Sequence, residues 1–204
     1  MTKTDDLSYL QEEFDTIVKA ALVGHVGIMT PDGYPRVVPM NFAANGNIIY
    51  LHGGMHGELF TVMSSSPKVT FSVDIPYSVI PSYWTSQISA GAATMLYKSV
   101  LIKGRGVIVD DPDEKIAALR LITEKYQPEG GYKPITRDEP TYHSLLKGTA
   151  VYRITPDRID VRINLRQRKS AKYRRKLIER LEIRAHGPDL ATADVIRSML
   201  GEKE

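Results

Sequence analysis

Two imidazoles and three glycines fall within six positions, His52-Gly53-Gly54-Met55-His56-Gly57, and the residues on either side decide what chemistry they can do. Upstream, Ile48 to Leu51 is a compact apolar run of strand type. Downstream, Glu58 to Met63 reads as a short helix closed by Ser66-Pro67. A strand, a glycine-rich turn and a helix start in succession suit an anion. Glycine lets the backbone approach a ligand closely, and the first amides of a helix lack intrahelical partners and carry the positive end of its dipole. His52 and His56 add side chains that titrate near neutral pH. A histidine that ends a strand is more often structural, and that reading leads for His52. His56 divides evenly between ligand contact and a solvated helix-start position. The competing reading of the turn is a hairpin whose glycines only satisfy positive φ, but two histidines with three glycines exceed that need.

Composition bounds the class. A chain of 204 residues, 42% hydrophobic and 25% charged, describes an ordinary globular protein with one main domain, large enough to bury about 70% of its unfolded surface. The absence of cysteine excludes disulfides, thiolate-bound metals, iron-sulfur clusters and cysteine nucleophiles, and suits a reducing cytoplasm. No apolar run approaches the ~20 residues of a membrane span, and no signal peptide is visible. The expected location is therefore cytoplasmic, with no membrane partner. A net charge of +3 is too small to define a partner, although basic residues gather toward the C-terminus.

The elements that must position these residues follow from periodicity. Leu7, Leu10, Phe14, Ile17, Val18, Ala21 and Leu22 recur at helical spacing behind Thr4-Asp5-Asp6. Short strands follow at 23–29, 34–38 and 40–43, with a turn at Thr30-Pro31-Asp32-Gly33, then a strand at 48–51. Segments 68–73 and 98–109 alternate as half-buried strands do. Asp111-Pro112-Asp113-Glu114 predicts a capped helix running to about Tyr126, and Gln127 to Pro140 reads as loop. A final hairpin is expected from 149–154 and 158–163 across Thr155-Pro156-Asp157, and two helices end the chain. The expected fold is mainly β with added α: a six-stranded antiparallel split β-barrel with peripheral helices and a C-terminal helical tail. It divides into a barrel over 1–165 and an extension over 166–204 packed on the same domain. No G-x-G-x-x-G turn or regular alternation of strand and helix supports a parallel sheet.

The order of several segments resembles one family along nearly the whole chain. They are Gly24-His25-Val26-Gly27, Gly33 to Phe42, Ile49-Tyr50-Leu51-His52-Gly53-Gly54, Ser66-Pro67-Lys68-Val69, Tyr97-Lys98-Ser99-Val100, Gly104-Arg105-Gly106, Asp111 to Lys115 and Thr149 to Ile154. The sequence is similar to the FMN-binding split β-barrels related to pyridoxamine 5'-phosphate oxidase, most closely the nitroimidazole-reductase-like branch. The resemblance implies a homodimer with FMN in a groove at the subunit interface. It also implies a redox reaction in which a reduced nicotinamide donates electrons that pass through FMN to a small organic acceptor. Taken with the residues themselves, it gives as cofactor-binding candidates Arg36, Val37, Val38, Pro39, Met40 and Asn41, with His52, Gly53, Gly54, His56 and Gly57, and then Lys98, Ser99 and Trp84. No catalytic residue and no metal ligand is named, because a flavin carries the chemistry itself.

A physical reading of Arg36 to Asn41 agrees with a flavin surface, since strand amides can bond the ring's polar edge and Pro39 argues for an edge or bulge. A plain barrel strand explains that segment equally well. The phosphate end departs from the family pattern: relatives place Arg or Lys just after the glycine-rich turn, and here Glu58 and Leu59 stand there. Substitutes are the helix-start amides, His56, and Lys98 with Ser99. Lys103 is a weaker candidate, because alternation puts it on the face opposite Lys98. Residues 74–96, with Tyr77, Tyr83 and the only tryptophan, Trp84, read as an irregular insertion that lids a flavin or forms a surface loop. The run Arg166 to Lys176, with seven basic residues in eleven, invites nucleic acid but fits a solvated helix face better. A sensor or store binding flavin or haem, with His52 or His56 as axial ligand of a haem, remains the alternative class, and a deazaflavin in place of FMN stays open.

Overall fold

The computed structural model describes residues 7–200. They form two compact units: the described part of Met1–Val73 with Val100–Val161, and Asp74–Ser99 with the described part of Arg162–Glu204. In chain order the elements are helix α1 (Leu7–Ala20), strands β1 (Gly24–Met29), β2 (Pro35–Met40), β3 (Phe42–Asn45) and β4 (Ile48–Gly54), then helix α2 (Glu58–Met63). Strands β5 (Lys68–Ile80) and β6 (Thr94–Ile108), helices α3 (Pro112–Tyr126) and α4 (His143–Gly148), strand β7 (Thr149–Asn164) and helices α5 (Ala171–Arg184) and α6 (Asp189–Ser198) complete it.

The fold is an antiparallel sheet with peripheral helices. The strand order is β2-β1-β5-β6-β7-β4-β3, an open sheet of seven strands rather than the expected six-stranded split barrel. Chain connectivity explains why it does not close. β2 and β3 lie at opposite ends of the order yet are separated only by Asn41. A hairpin needs at least a two-residue loop, so these neighbours cannot fold back and pair. The sheet therefore rolls until its two edges meet at Asn41, and no ladder joins them among the described residues.

Inside the first unit, β1 pairs with β2 from Gly24↔Met40 to Met29↔Pro35, and with β5 from His25↔Ser72 to Gly27↔Thr70. β4 pairs with β3 on one side and with β7 from Ile49↔Ile154 to Gly54↔Thr149 on the other. Rolling brings Phe42 of β3 onto Phe71 of β5, edge to face with centroids 5.0 Å apart. Gly24 leaves the room for that ring, since a Cβ there would overlap Phe71. The Lys125 ammonium sits 3.4 Å over the Phe42 centroid and donates to the Val18 carbonyl at 2.8 Å. Beside it the Tyr126 hydroxyl donates to the Leu22 carbonyl at 2.7 Å and accepts from the Phe42 amide at 3.0 Å. Phe14, Ile17 and Val18 of α1 are buried, as its periodicity requires, whereas the expected start at Thr4-Asp5-Asp6 lies outside the described residues. Asp111 caps α3 by accepting from the Glu114 amide at 2.7 Å, as its sequence predicts.

Two boundaries differ from expectation. The hairpin foreseen at Thr155-Pro156-Asp157 is instead one continuous strand of 16 residues. Gly104 of β6 makes that possible: the Thr155 carbonyl lies where a Cβ would stand, so only glycine allows the backbones to approach and Pro156 to be carried through the strand. The insertion foreseen over 74–96 is shorter than expected, because β5 continues to Ile80 and β6 begins at Thr94. The irregular remainder contains two single-turn 3-10 helices, Ser82–Trp84 and Ala90–Ala92.

The second unit has its own core, in which Ile80 and Leu96 pack with Leu165, Leu177, Leu181 and Ile196. The basic run contributes the N-terminal half of α5, capped by the Ser170 hydroxyl, and its apolar face closes on this core. Asp189 is fully buried at the start of α6. Its carboxylate accepts two bonds from Arg184, at 2.7 and 2.6 Å, one from the Ser78 hydroxyl at 2.6 Å and one from the His186 amide at 2.9 Å. The Arg184 guanidinium is the main cause that holds its pKa well below the ordinary 3.8.

Two outcomes are expected. Gly104→Ala lowers the stability measured by urea unfolding by about 1–3 kcal/mol, the range for forced overpacking, whereas Gly148→Ala, with open space at its Cβ, does not. Asp189→Asn costs about 3–5 kcal/mol at neutral pH, because it leaves Arg184 without its charge partner. Since the folded pKa is depressed, the Asp189 contribution is complete above the ordinary carboxylate range and falls away as acid approaches the folded value. Acid unfolding curves of the Asn variant should therefore lack that component.

Candidate functional site

β2 is an edge strand, paired only with β1, so one row of its backbone groups has no ladder partner. An edge is also where Pro39 can sit without breaking a ladder, in agreement with the sequence reading. Arg36, Val37 and Pro39 are exposed, while Val38 and Met40 are half-buried. Because the sheet rolls at Asn41, this edge faces the end of β4. A Cβ on Gly53 would lie 3.7 Å from the Met40 methyl, and Arg36 forms an ion pair with Glu58 just past the turn.

Glu58, which the sequence analysis marked as a departure, is therefore not a bare carboxylate: it forms an ion pair with Arg36 of β2. No sequence signal links the two, because they are 22 residues apart and meet only through rolling of the sheet. The turn itself is shaped by Gly57, at φ 100, which forms the N-cap of α2 with open space where a side chain would be. α2 has the six residues the sequence predicts, so its dipole is that of a short helix. Val62 and Met63 bury its apolar side, and Gly106 makes room for the Met63 sulfur.

His52 is half-buried, and burial lowers its pKa, so the ring is neutral at pH 7. His56 is exposed at the tip of the turn. Tyr152, which the sequence reading did not single out, underlies the site: its buried ring lies beneath Gly53 and its hydroxyl donates to the Gly54 carbonyl at 3.2 Å. Behind it, Glu114 accepts from Tyr50 at 2.8 Å and from Arg153 at 2.8 and 3.0 Å, tying β4 and β7 to α3.

The first unit therefore brings together Arg36 to Asn41 with His52 to Gly57. The other three named residues belong to the second unit. Lys98 is buried and engaged with a partner. Lys103 is exposed, on the opposite parity, as alternation foresaw. Ser99 is half-buried. Trp84 is half-buried against α5, with the Arg184 and Arg180 guanidinium carbons 4.7 and 5.8 Å from its ring. Arg180 also donates to its carbonyl. Among the described residues no cluster of His, Asp or Glu could hold a metal ion, and no helix is long and apolar enough to cross a membrane.

An antiparallel sheet rolled so that its edge strand faces a glycine-rich turn defines the class. The family model for pyridoxamine 5'-phosphate oxidase matches residues 11–163, and the chain belongs to that family. No curated protein matches the sequence. Among solved structures, a candidate 5-nitroimidazole antibiotic resistance protein from Bacteroides thetaiotaomicron is similar at 22% identity and TM-score 0.57, over 74% of this chain and 82% of that one. The flavocytochrome Anf3 from Azotobacter vinelandii is similar at 25% identity and TM-score 0.63, over 75% of this chain and 66% of that one. A FAD and haem binding protein from Mycobacterium smegmatis gives 18% identity and TM-score 0.61, over 76% and 71%.

The geometry separates two kinds of residue at the site. Gly57→Ala should cost about 1–2 kcal/mol through backbone strain alone, since nothing obstructs the added methyl. Arg36→Ala and Glu58→Ala should each change stability by less than about 1 kcal/mol, as partly exposed ion pairs do. Urea titrations of the three variants check the contrast.

Proposed function

We propose that this chain is a flavin-binding redox protein that holds FMN with its ring along β2 and its phosphate toward the glycine-rich turn. A second copy of the chain completes the groove. The observation that carries the reading is the juxtaposition of the β2 edge with that turn, with Arg36 neutralising Glu58 where a phosphate would arrive. The residues present fit such a group. Free backbone groups of Arg36 to Met40 suit the polar edge of a flat ring, Val38 and Met40 give it an apolar bed, and the open space at Gly57 admits a phosphate against backbone. Membership of the pyridoxamine 5'-phosphate oxidase family and the flavin-binding neighbours support the same reading.

A bound flavin would supply transfer of electrons from a reduced nicotinamide to a small organic acceptor. The chain's own residues orient and shield. β2 fixes the ring edge, Tyr152 holds the Gly54 carbonyl and so the turn, and Arg36 removes the repulsion that a bare Glu58 would exert on a phosphate. Lys98, Ser99 and Trp84 are assigned no contact in this reading. Neutral His52 gives haem its best foothold here, because ligation to iron needs an unprotonated ring nitrogen.

The absorption spectrum of the purified, FMN-saturated protein tests the reading. Flavin bands that remain after gel filtration and bleach anaerobically with NADH or NADPH are expected. A Soret band would instead establish the haem alternative, and a protein that releases all FMN would contradict the proposal. Arg36→Met should weaken FMN about tenfold by exposing Glu58, Arg36→Met with Glu58→Gln should recover most of it, and riboflavin, lacking phosphate, should respond to neither.

A further inference from the structure

The first unit contains a second recess, with a volume of about 610 Å³, within the range of small-molecule sites. Its walls are apolar, formed by Ile108 and Val109 at the end of β6, Ile116 of α3 and Leu146 of α4, with Met55 of the glycine-rich turn at one border. Four basic side chains open onto it, Lys115, Arg137, His143 and Lys147, against the single carboxylate of Asp110. This combination differs from the β2 edge and glycine-rich turn, where Arg36 is already paired with Glu58.

Pairing within the recess identifies the charges left over. Arg137 donates to Asp113 at 2.8 Å, and His143 Nε2 lies 3.1 Å from the Arg137 carbonyl, so these two hold the loop onto α3. The Lys115 and Lys147 ammonium groups have no hydrogen-bond or ion-pair partner among the described residues. Lys115 is half-buried, and burial lowers its pKa, which expresses the cost of holding its charge away from water without a counterion. The half-buried Lys115 ammonium, with the exposed Lys147 at the rim of the same apolar recess, matches an anion that also carries an apolar body. A purely inorganic anion would leave the half-buried Ile108 and Leu146 uncovered, and a neutral ring would leave the half-buried Lys115 without a counter-charge.

We infer that the recess between the end of β6, α3 and α4 is a binding site for an amphipathic small-molecule anion, an aromatic or aliphatic carboxylate or phosphate. The apolar body packs on Ile108, Val109, Ile116 and Leu146, and the acid group is met by Lys115 and Lys147. The site does not depend on whether a flavin is bound. Arg137 and His143 act through the loop they fix rather than as direct contacts.

Isothermal titration calorimetry of the full chain with 2-naphthoate, 2-naphthyl phosphate, neutral 2-naphthalenemethanol and inorganic phosphate tests it, in the presence and absence of FMN. The expected result is one saturable site per chain for both naphthyl anions, with the alcohol and inorganic phosphate at least tenfold weaker. Lys115→Met and Lys147→Met, which keep the apolar stems, should each weaken the naphthyl anions about five- to tenfold while leaving the unfolding midpoint in urea and any FMN affinity unchanged. Equal affinity for the alcohol, or anion binding insensitive to both substitutions, would overturn the inference. So would naphthoate binding that disappears as sedimentation shows the chain dimerising, because the recess would then be filled by a second copy.

Discussion

One covalent constraint organises the first unit: Asn41 alone connects two strands that occupy opposite edges of the same sheet. Two strands so close in sequence cannot pair as a hairpin, and two edges so far apart in strand order cannot be joined by one residue unless the sheet rolls. The remaining contacts make rolling favourable. Phe42 lands on Phe71, Lys125 covers Phe42, and Tyr126 bridges the Leu22 carbonyl and the Phe42 amide. Glycines at 24 and 104 remove the side chains that would hold the layers apart. The facing of β2 and the glycine-rich turn is therefore a consequence of topology before it is a matter of site chemistry.

Electrostatics at the site follow from that geometry. A carboxylate at the start of α2 would repel a phosphate, but the roll that brings β2 over the turn also brings Arg36 to Glu58. Position matters more than composition here. The carboxylate is neutralised by a cation from a different strand, through an ion pair whose own contribution to stability is small. The buried Asp189 in the second unit has the opposite character: fully desolvated and bonded on every side, it orders the start of α6 rather than awaiting a ligand.

Much of this was legible in the sequence. The Asp111 cap, the α2 limits at Glu58 and Met63, the edge character implied by Pro39 and the opposed faces of Lys98 and Lys103 all depend on local stereochemistry, which neighbouring residues report. The family resemblance was legible through the order of its segments. What the sequence concealed is non-local. Thr155-Pro156-Asp157 carries every mark of a turn, and only the close approach permitted by Gly104 keeps it extended. Arg36 and Glu58 meet through the roll. The recess at Lys115 and Lys147 draws on β6, α3, α4 and a loop, and no single segment reveals it. The burial of Lys98 was likewise hidden, because alternation tells which face a residue takes but not whether that face is covered.

The central claim is that the β2 edge and the turn after β4 form two walls of one flavin groove. Amide hydrogen exchange of the full chain with and without FMN tests it most directly. The account predicts that residues 36–41 and 52–57 gain protection together, with little change in α6. Protection confined to one of the two segments, or none in either while FMN remains bound, would contradict it.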